Sequence, residues 1–497
     1  MKDRTWEDLT IAKVAPQIRR GKLSPVDLTN AVFERIEKLN PTLNAFLTLT
    51  KDQALADAKI ADKEIRKGIY RGPLHGIPFS IKDNIAIKGV RTTAGSKILS
   101  EWKPDYDATV VKRLREAGAV ILGKTNMHEW AKASNTNNVF YGPSRNPWDL
   151  NRATGGSSAG CAAAVAAGLS MGSIGTDSAG SVRNPASLCG IVGFKPTYGR
   201  VSMFGGVAGT GPYSINHFGV LAKTVQDSAF ILKCVAGYDS KDPLSADAPV
   251  PDYSKSIGKN VRRLKIGIIR GYFEELAVDE VKEVFLEAIK LLKSLGVKTE
   301  EVSIPHMNLI PVLQACIGRV EDVSDHDGYL RSSPREYSPK ILNNLIGSLL
   351  IPGGAYITAQ RVRRIICQEF DRELERVDVI AAPTTAVPAP TIEDLDRGFT
   401  EISAKRINLQ DQRGNFLTLC TIPFNQTGLP ALSLCCGFSS SGLPIGMQIV
   451  GKAFEEGTVF QVASAYEKAA RWYERRPPLS FSRVEQQPTS STLGHKN

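Results

Sequence analysis

Pro73-Leu-His-Gly-Ile-Pro-Phe-Ser-Ile-Lys82 is the stretch at which the pattern of the chain changes. It is a short apolar run held between turn residues, too short for a helix, and it reads as a buried strand with a lysine at its inner end. Before it the spacing is helical. Leu9, Ile11, Val14 and Ile18 recur with a helical period, and after a break over Gly21–Pro25 so do Leu28, Val32, Ile36 and Leu39. Ser24-Pro25 supplies an N-cap and an N1 proline, and residues 51–67 read as a further amphipathic helix. After it, strands and helices alternate. A helix is expected over Thr109–Ala117, a strand over Ala119–Leu122, an alanine-rich helix over Ala159–Gly168 and a strand over Ser170–Gly175. Further strands are expected over 264–269, 297–302, 377–382, 431–436 and 446–450, with helices over 278–295 and 458–472. Such alternation predicts an α/β fold with a parallel or mixed sheet covered by helices on both faces. One domain is expected over 1–481: a helical region 1–70, a core 71–238, a surface connection 239–262 and a C-terminal half 260–481. A polar tail follows over 482–497.

The bulk composition narrows the function classes. The formal charge is +11, but Lys and Arg are scattered and no basic stripe is interleaved with aromatics, so no nucleic-acid partner is expected. The eight Cys form no C-x-x-C pair and read as reduced, mostly buried thiols. The first residues are polar without an apolar leader, and no apolar run reaches the length of a membrane span. A cytoplasmic protein with no membrane partner is expected. Six His without an H-x-x-x-H pair or a Cys/His cluster argue for no metal, and no cofactor is expected.

Two motif matches fail on physical grounds. Gly118-Ala-Val-Ile-Leu-Gly-Lys124-Thr125 has the lettering of a nucleotide P-loop, but its middle residues look like a strand rather than a loop that wraps phosphate. Gly156-Ser-Ser158-Ala-Gly160 has the lettering of a nucleophile elbow, but a polar loop precedes it where that elbow needs a strand.

Three segments together carry chemistry: Gly76-Ile-Pro-Phe-Ser-Ile-Lys82-Asp83-Asn84, Gly155-Gly-Ser157-Ser158-Ala-Gly160, and Gly175-Thr-Asp177-Ser-Ala-Gly180-Ser181-Val-Arg183. A lysine at the inner end of a buried strand is costly to keep charged, so desolvation makes its neutral amine available as a base. A serine hydroxyl is a poor nucleophile until a base takes its proton. The glycine-rich approach to Ser181 allows the backbone N–H groups of Ser178, Ala179, Gly180 and Ser181 to converge on one point, as an oxyanion hole requires. Asp177 and Arg183 flank the turn and read as an ion pair bracing it.

These segments resemble those of the amidase signature family, which includes fatty acid amide hydrolase, malonamidase and the A subunit of glutamyl-tRNA amidotransferase. The resemblance covers about Leu9 to Trp472. It is supported by Gly123-Lys-Thr-Asn-Met, Arg145-Asn-Pro-Trp, Cys189-Gly-Ile-Val-Gly-Phe-Lys195-Pro-Thr and Gly442-Leu-Pro-Ile-Gly-Met-Gln-Ile-Val-Gly451. It implies the amidase signature fold, a large twisted mixed β-sheet covered by helices on both faces. It also implies a mechanism: Ser181 attacks the amide carbon, Ser157 relays its proton to neutral Lys82, and water hydrolyses the acyl-enzyme. Further implications are a cis peptide between Gly156 and Ser157 and a hydrogen-bonding, non-reacting Ser158. The chain departs from the pattern in carrying Ala179 where many members have Gly, Ala159 in the Gly-Gly-Ser-Ser run, and Asn216-His217 where an Asp is common.

The resemblance leaves three functions. The first is hydrolysis of a linear or aryl carboxamide, with ester or carbamate as further options. The second is the glutaminase A subunit of a tRNA-dependent amidotransferase, and the third an idle amidase-fold binding protein. The presence of Lys82, Ser157 and Ser181 together weighs against the third. For the second, the family holds glutamine through an Arg, matched here near Arg363, and an Asp ahead of Thr421-Ile-Pro423, where this chain has Thr418. Losing that carboxylate removes a charge-assisted contact worth about 1.5–3 kcal/mol, so the sequence favours a free-standing amidase. Its expected partner is a small-molecule amide, and a homodimer is the assembly carried forward. Met127, Trp130, Phe140 and Tyr141 are candidates for an apolar acyl or aryl pocket.

Overall fold

The computed structural model describes residues 9–402, 405–411 and 414–479. The first residues and the tail expected from Ser482 lie outside that range. Eleven strands join one sheet: β1 (Phe46–Leu49), β2 (Pro78–Lys82), β3 (Val120–Thr125), β4 (Gly172–Asp177), β5 (Val192–Lys195), β6 (His217–Ala222), β7 (Lys265–Ile269), β8 (Lys298–Val302), β9 (Val379–Pro383), β10 (Ala431–Phe438) and β11 (Pro444–Gly451). Their spatial order is β1-β3-β2-β4-β6-β5-β10-β11-β9-β7-β8. β2 runs parallel to both β3 and β4, and β7 parallel to both β8 and β9; the remaining pairs are antiparallel. The mixed α/β sheet expected from the alternation is therefore present.

Both faces of the sheet are buried, which is why its central strands read as continuous apolar runs. Successive side chains point to opposite faces. Val379 and Ala381 accordingly belong to one hydrophobic cluster and Ile380 and Ala382 to another. Ile121 faces the first cluster, while Val120 and Leu122 face the cluster built on helix Pro25–Leu43. That helix begins at Ser24, whose Oγ accepts from the Val26 N–H, followed by proline at its first position. The alanine-rich helix Ala159–Ala166 is buried along its whole length. Its small residues are required: a Cβ on Gly160 would stand 2.3 Å from the Ala45 carbonyl oxygen.

Several elements differ from the sequence expectation. The strand begins at Pro78 rather than Pro73, because 73–76 form a turn and Gly76 has a positive φ of 77°. The strand expected over 170–175 lies over 172–177, which puts Thr176 and Asp177 at its end. β1, β5 and β6 and the helices Arg183–Cys189, Val225–Val235 and Gly353–Arg376 were not marked out by periodicity. β5 and β6 are short, contain glycine and are buried throughout, so they show no alternation. Residues 120–125 form β3, and Lys124 is buried with its Nζ 2.9 Å from Thr92 Oγ1 and 3.7 Å from Asp83 Oδ1. It holds the strand end in place and faces no phosphate loop. Among the described residues no single helix is long and apolar enough to cross a membrane.

Candidate active site

β2 and β4 are adjacent and parallel, with Ser80 opposite Ser173 and Ile81 opposite Ile174. Their carboxyl ends therefore open on one edge, where α/β sheets commonly place ligands. Lys82 closes β2, and Thr176 and Asp177 close β4. Between these strands in sequence, the segment Gly155–Ser158 crosses the same edge before the helix at Ala159. Its Gly156–Ser157 peptide is cis.

Lys82 is fully buried. Its Nζ lies 2.8 Å from Ser157 Oγ and 2.7 Å from Thr176 Oγ1. Asn84 Nδ2 donates to Thr176 Oγ1 at 3.1 Å and to Thr210 Oγ1 at 3.0 Å, fixing the far side of the lysine's partner. Burial pushes the Lys82 ammonium down to about 7, partly offset by Cys161 and Asp177. A neutral amine beside a serine hydroxyl is thus available near neutral pH.

Ser181 stands at the start of the next turn and retains 5% exposure, where Ser157 has none. The two segments are laced by the Ser158 N–H, which donates to the Ser181 carbonyl at 3.3 Å. Ser158 Oγ donates to the Thr176 carbonyl at 3.2 Å. Among the described residues, Ser181 Oγ has no hydrogen bond, and the Ser157–Ser181 step is open.

The turn around Ser181 is held by Asp177. Its carboxylate accepts from the N–H groups of Gly180 (2.7 Å), Val182 (3.2 Å) and Arg183 (3.4 Å). It also pairs with the Arg183 guanidinium at 3.0 Å through both Nε and Nη2. The ion pair read from the sequence is present and fully buried. Burial raises the Asp177 carboxyl, but the Arg183 charge and hydrogen bonds outweigh it and hold the group well below the usual carboxylate range. Arg183 in turn donates to the Thr421 carbonyl, Gln448 Oε1 and Asn425 Oδ1, and Asn425 Nδ2 donates to both the carbonyl and the carboxylate of Asp177. Gly180 must be glycine: its φ is +116°, and a Cβ there would stand 2.0 Å from Thr421 Oγ1.

This arrangement corrects the donor set expected from the sequence. The Gly180 N–H is committed to Asp177 and is withdrawn from any oxyanion hole. The N–H groups of Ser178, Ala179 and Ser181 remain, and Thr421 Oγ1 donates to the Ala179 carbonyl at 2.7 Å, fixing that peptide.

The expected pocket residues fare differently. Trp130 is fully buried and packs against His326, Tyr329 and Tyr337, and Met127 is also fully buried. Both are core rather than walls of an open pocket. Phe140 is half-buried. Tyr141 is tied to the Ser96 carbonyl at 3.3 Å, with Arg91 over its ring. Arg363 donates to the Gln426 carbonyl at 2.6 Å and to the side chain and carbonyl of Ser214 at 3.0 Å each, so its guanidinium is spent on the fold. Thr418 is buried and donates to the Asn415 carbonyl at 3.1 Å. Thr176, Asn84, Asn425 and Gln448 belong to the site but were not singled out. Thr176, Asn84 and Gln448 lay inside quoted segments, whereas nothing local marks Asn425.

Comparison with known proteins agrees with this site. The amidase family profile matches residues 27–460. The A subunit of a glutamyl-tRNA(Gln) amidotransferase from Moorella thermoacetica is 40% identical over 502 aligned residues, covering 95% of this chain and 99% of that protein. The crystal structure of the corresponding A subunit from Thermotoga maritima superposes with a TM-score of 0.78 at 36% identity, covering 94% of this chain and 96% of that one. A structure from a vestigial protein complex, described as revealing the evolutionary origins of an s-triazine catabolic enzyme, superposes with a TM-score of 0.87 at 31% identity. It covers 93% of this chain and 98% of that one. With a buried lysine on a serine at one sheet edge and a family match running through both halves of the sheet, the chain belongs to the amidase family.

Proposed function

We propose that the chain cleaves a carboxamide through an acyl-enzyme on Ser181, with Ser157 and Lys82 as its proton relay. The observation that carries this reading is the 2.8 Å approach of a buried, readily deprotonated Lys82 Nζ to Ser157 Oγ. In the forward step Ser181 Oγ bonds to the carbonyl carbon, its proton passes to Ser157, and the Ser157 proton passes to Lys82. The oxyanion accepts from backbone N–H groups of the Ser178–Ser181 turn other than Gly180. Collapse breaks the C–N bond as the relay returns a proton to the leaving nitrogen, and water then releases the acid. Labelling with a fluorophosphonate tests the nucleophile. The native protein is expected to be labelled and Ser181→Ala to be silent; labelling of the variant would remove Ser181 from this role.

On the amide itself, the full-length similarity to amidotransferase A subunits supports the glutaminase reading over the free-standing amidase. In this reading the chain works in the cytoplasm with other subunits rather than as a homodimer. Thr418 in place of a carboxylate, and an Arg363 already bonded to Ser214 and Gln426, favour the free-standing alternative. Glutaminase activity together with co-purifying subunits from the native cell supports the first. Robust turnover of simple amides by the isolated chain, without glutaminase activity, supports the second.

A further inference from the structure

Asn84 lies two residues beyond Lys82 and is fully buried. Its Nδ2 donates to Thr176 Oγ1 at 3.1 Å and to Thr210 Oγ1 at 3.0 Å, so both amide hydrogens are committed. Its Oδ1 is buried and accepts no hydrogen bond among the described residues. A buried acceptor left without a donor is costly, and turning the amide over would relieve it by facing Oδ1 to the two hydroxyls. Thr210 forbids that turn. Its own hydroxyl proton is spent on the Val207 carbonyl at 2.6 Å, so the Thr210 oxygen can meet Asn84 only as an acceptor.

The loop that carries Thr210 is itself anchored. The Val207 N–H donates to the Asn84 carbonyl at 2.9 Å and the Ala86 N–H to the Gly205 carbonyl at 2.8 Å, so residues 84–86 run against this loop. Helix Arg319–Ser332 holds its other side. Asp325 Oδ2 accepts from the Gly209 N–H at 3.1 Å, and His326 Nε2 donates to the Gly209 carbonyl at 3.0 Å, with the Tyr337 hydroxyl on its Nδ1.

At the inner end of this chain of bonds, Thr176 Oγ1 lies between Asn84 Nδ2 and Lys82 Nζ, 2.7 Å from the amine. An N–H dipole with its positive end on that oxygen opposes a positive charge on the amine beyond it, whereas a carbonyl or carboxylate oxygen in the same place would favour one. The charged and titratable groups that face Lys82 are Asp177 at the end of β4, Cys161 on the alanine-rich helix and His128 after β3. Asp83, next in the chain, is paired with Lys124 at 3.7 Å. We infer that Asn84 is a positioning residue for the relay: Thr210 locks its amide with the donors toward Thr176, and through Thr176 it holds the Lys82 amine beside Ser157 in its proton-accepting form. The role in the relay rests on the amide-hydrolysis reading; the effect of Thr210 on the lysine's charge does not.

The test is the rate of fluorophosphonate labelling across about pH 5–10, with Ser181→Ala as the silent control. The native rate is expected to rise through a limb near pH 7. Thr210→Val keeps the shape of the side chain and removes the acceptor that locks Asn84, and among the described residues Thr210 makes no hydrogen bond to Lys82 or Ser157. Its limb is expected to move up by about one pH unit as the freed amide turns its oxygen to Thr176, with a maximal rate about tenfold lower. Asn84→Asp is expected to move the limb further the same way, since a carboxylate replaces the donors. A native limb in Thr210→Val, or lower rates in both variants with the limb unmoved, would overturn the proposal. The lysine is also read without the reaction, by heteronuclear NMR of isotope-labelled lysine with Lys82→Met for assignment. If native protein is not labelled but the Lys82 titration rises in Thr210→Val, the amidase reading falls and the Asn84 lock stands. A Lys82 titration that is the same in native and Thr210→Val protein removes the lock.

Discussion

At Lys82 the same burial bears on stability and, in the proposed relay, on activity. In the proposed relay the amine must be neutral to accept the Ser157 proton, and burial brings its titration to about 7. Turnover is therefore expected to fall on the acid side with a limb near pH 7 and to hold above it, read from kcat/KM against pH. Lys82→Ala is expected to cost about 10²–10⁴-fold in kcat, with the acid limb lost from any residual rate. The stability effect follows from linkage. Because the folded-state value lies below the unfolded one, the unfolded chain holds more protons between about 7 and the ordinary lysine value, and native stability gains as pH rises through that window. Lys82→Met removes this term. Its melting temperature relative to native protein is expected to be most favourable at and below pH 7 and to lose that advantage toward pH 10. A constant difference across the range would contradict a desolvated lysine.

At the scale of elements, the turn Asp177–Arg183 joins the end of β4 to a short helix. It is stabilised by one carboxylate that caps three N–H groups and pairs with a buried guanidinium. Asp177→Asn leaves Arg183 uncompensated at zero exposure. A loss of about 3–5 kcal/mol is expected in denaturant unfolding, with activity falling as the Ser181 turn loosens. Gly180→Ala is expected to be inactive even where it folds, because the methyl group must displace Thr421 and with it the Ala179 peptide. Native-like activity of either variant would show that this turn does not position Ser181. The strand carrying Lys82 and the glycine-rich segments of Ser157 and Ser181 were legible locally, since each combines an apolar or small-residue run with one reactive side chain. Asn425 and Gln448 were not, because their roles exist only where helix Ile422–Gln426 and β11 reach across to Arg183. Trp130 and Met127 are fully buried, as large apolar side chains usually are.

For the whole molecule, the two halves of the chain meet in a single sheet through the β5–β10 pairing, Ala431 with Lys195, Leu432 with Phe194 and Ser433 with Gly193. Lys259 is exposed and lies next to a glycine of positive φ, so trypsin is expected to nick there first. The fragments 1–259 and 260–497 are expected to co-elute on gel filtration and to part only in denaturant, since both faces of the seam are buried. Separation under native conditions would mean that the halves are independent units. Arg183 bonding to Thr421, Asn425 and Gln448 crosses the same seam, so a nicked protein that stays together is expected to keep its amidase activity.

What the sequence by itself determined was the α/β class and the candidate segments that carry Lys82, Ser157 and Ser181, because period and residue chemistry are local properties. Only the tertiary structure decided which N–H groups stay free beside Ser181 and that the Arg363 guanidinium is absorbed by the fold. The physical reason is that a donor or a charge becomes available to a ligand only when no other group satisfies it. The groups that satisfy Gly180, Arg183 and Arg363 are in part brought to them from more than a hundred residues away, or by a bend in the backbone that no spacing encodes.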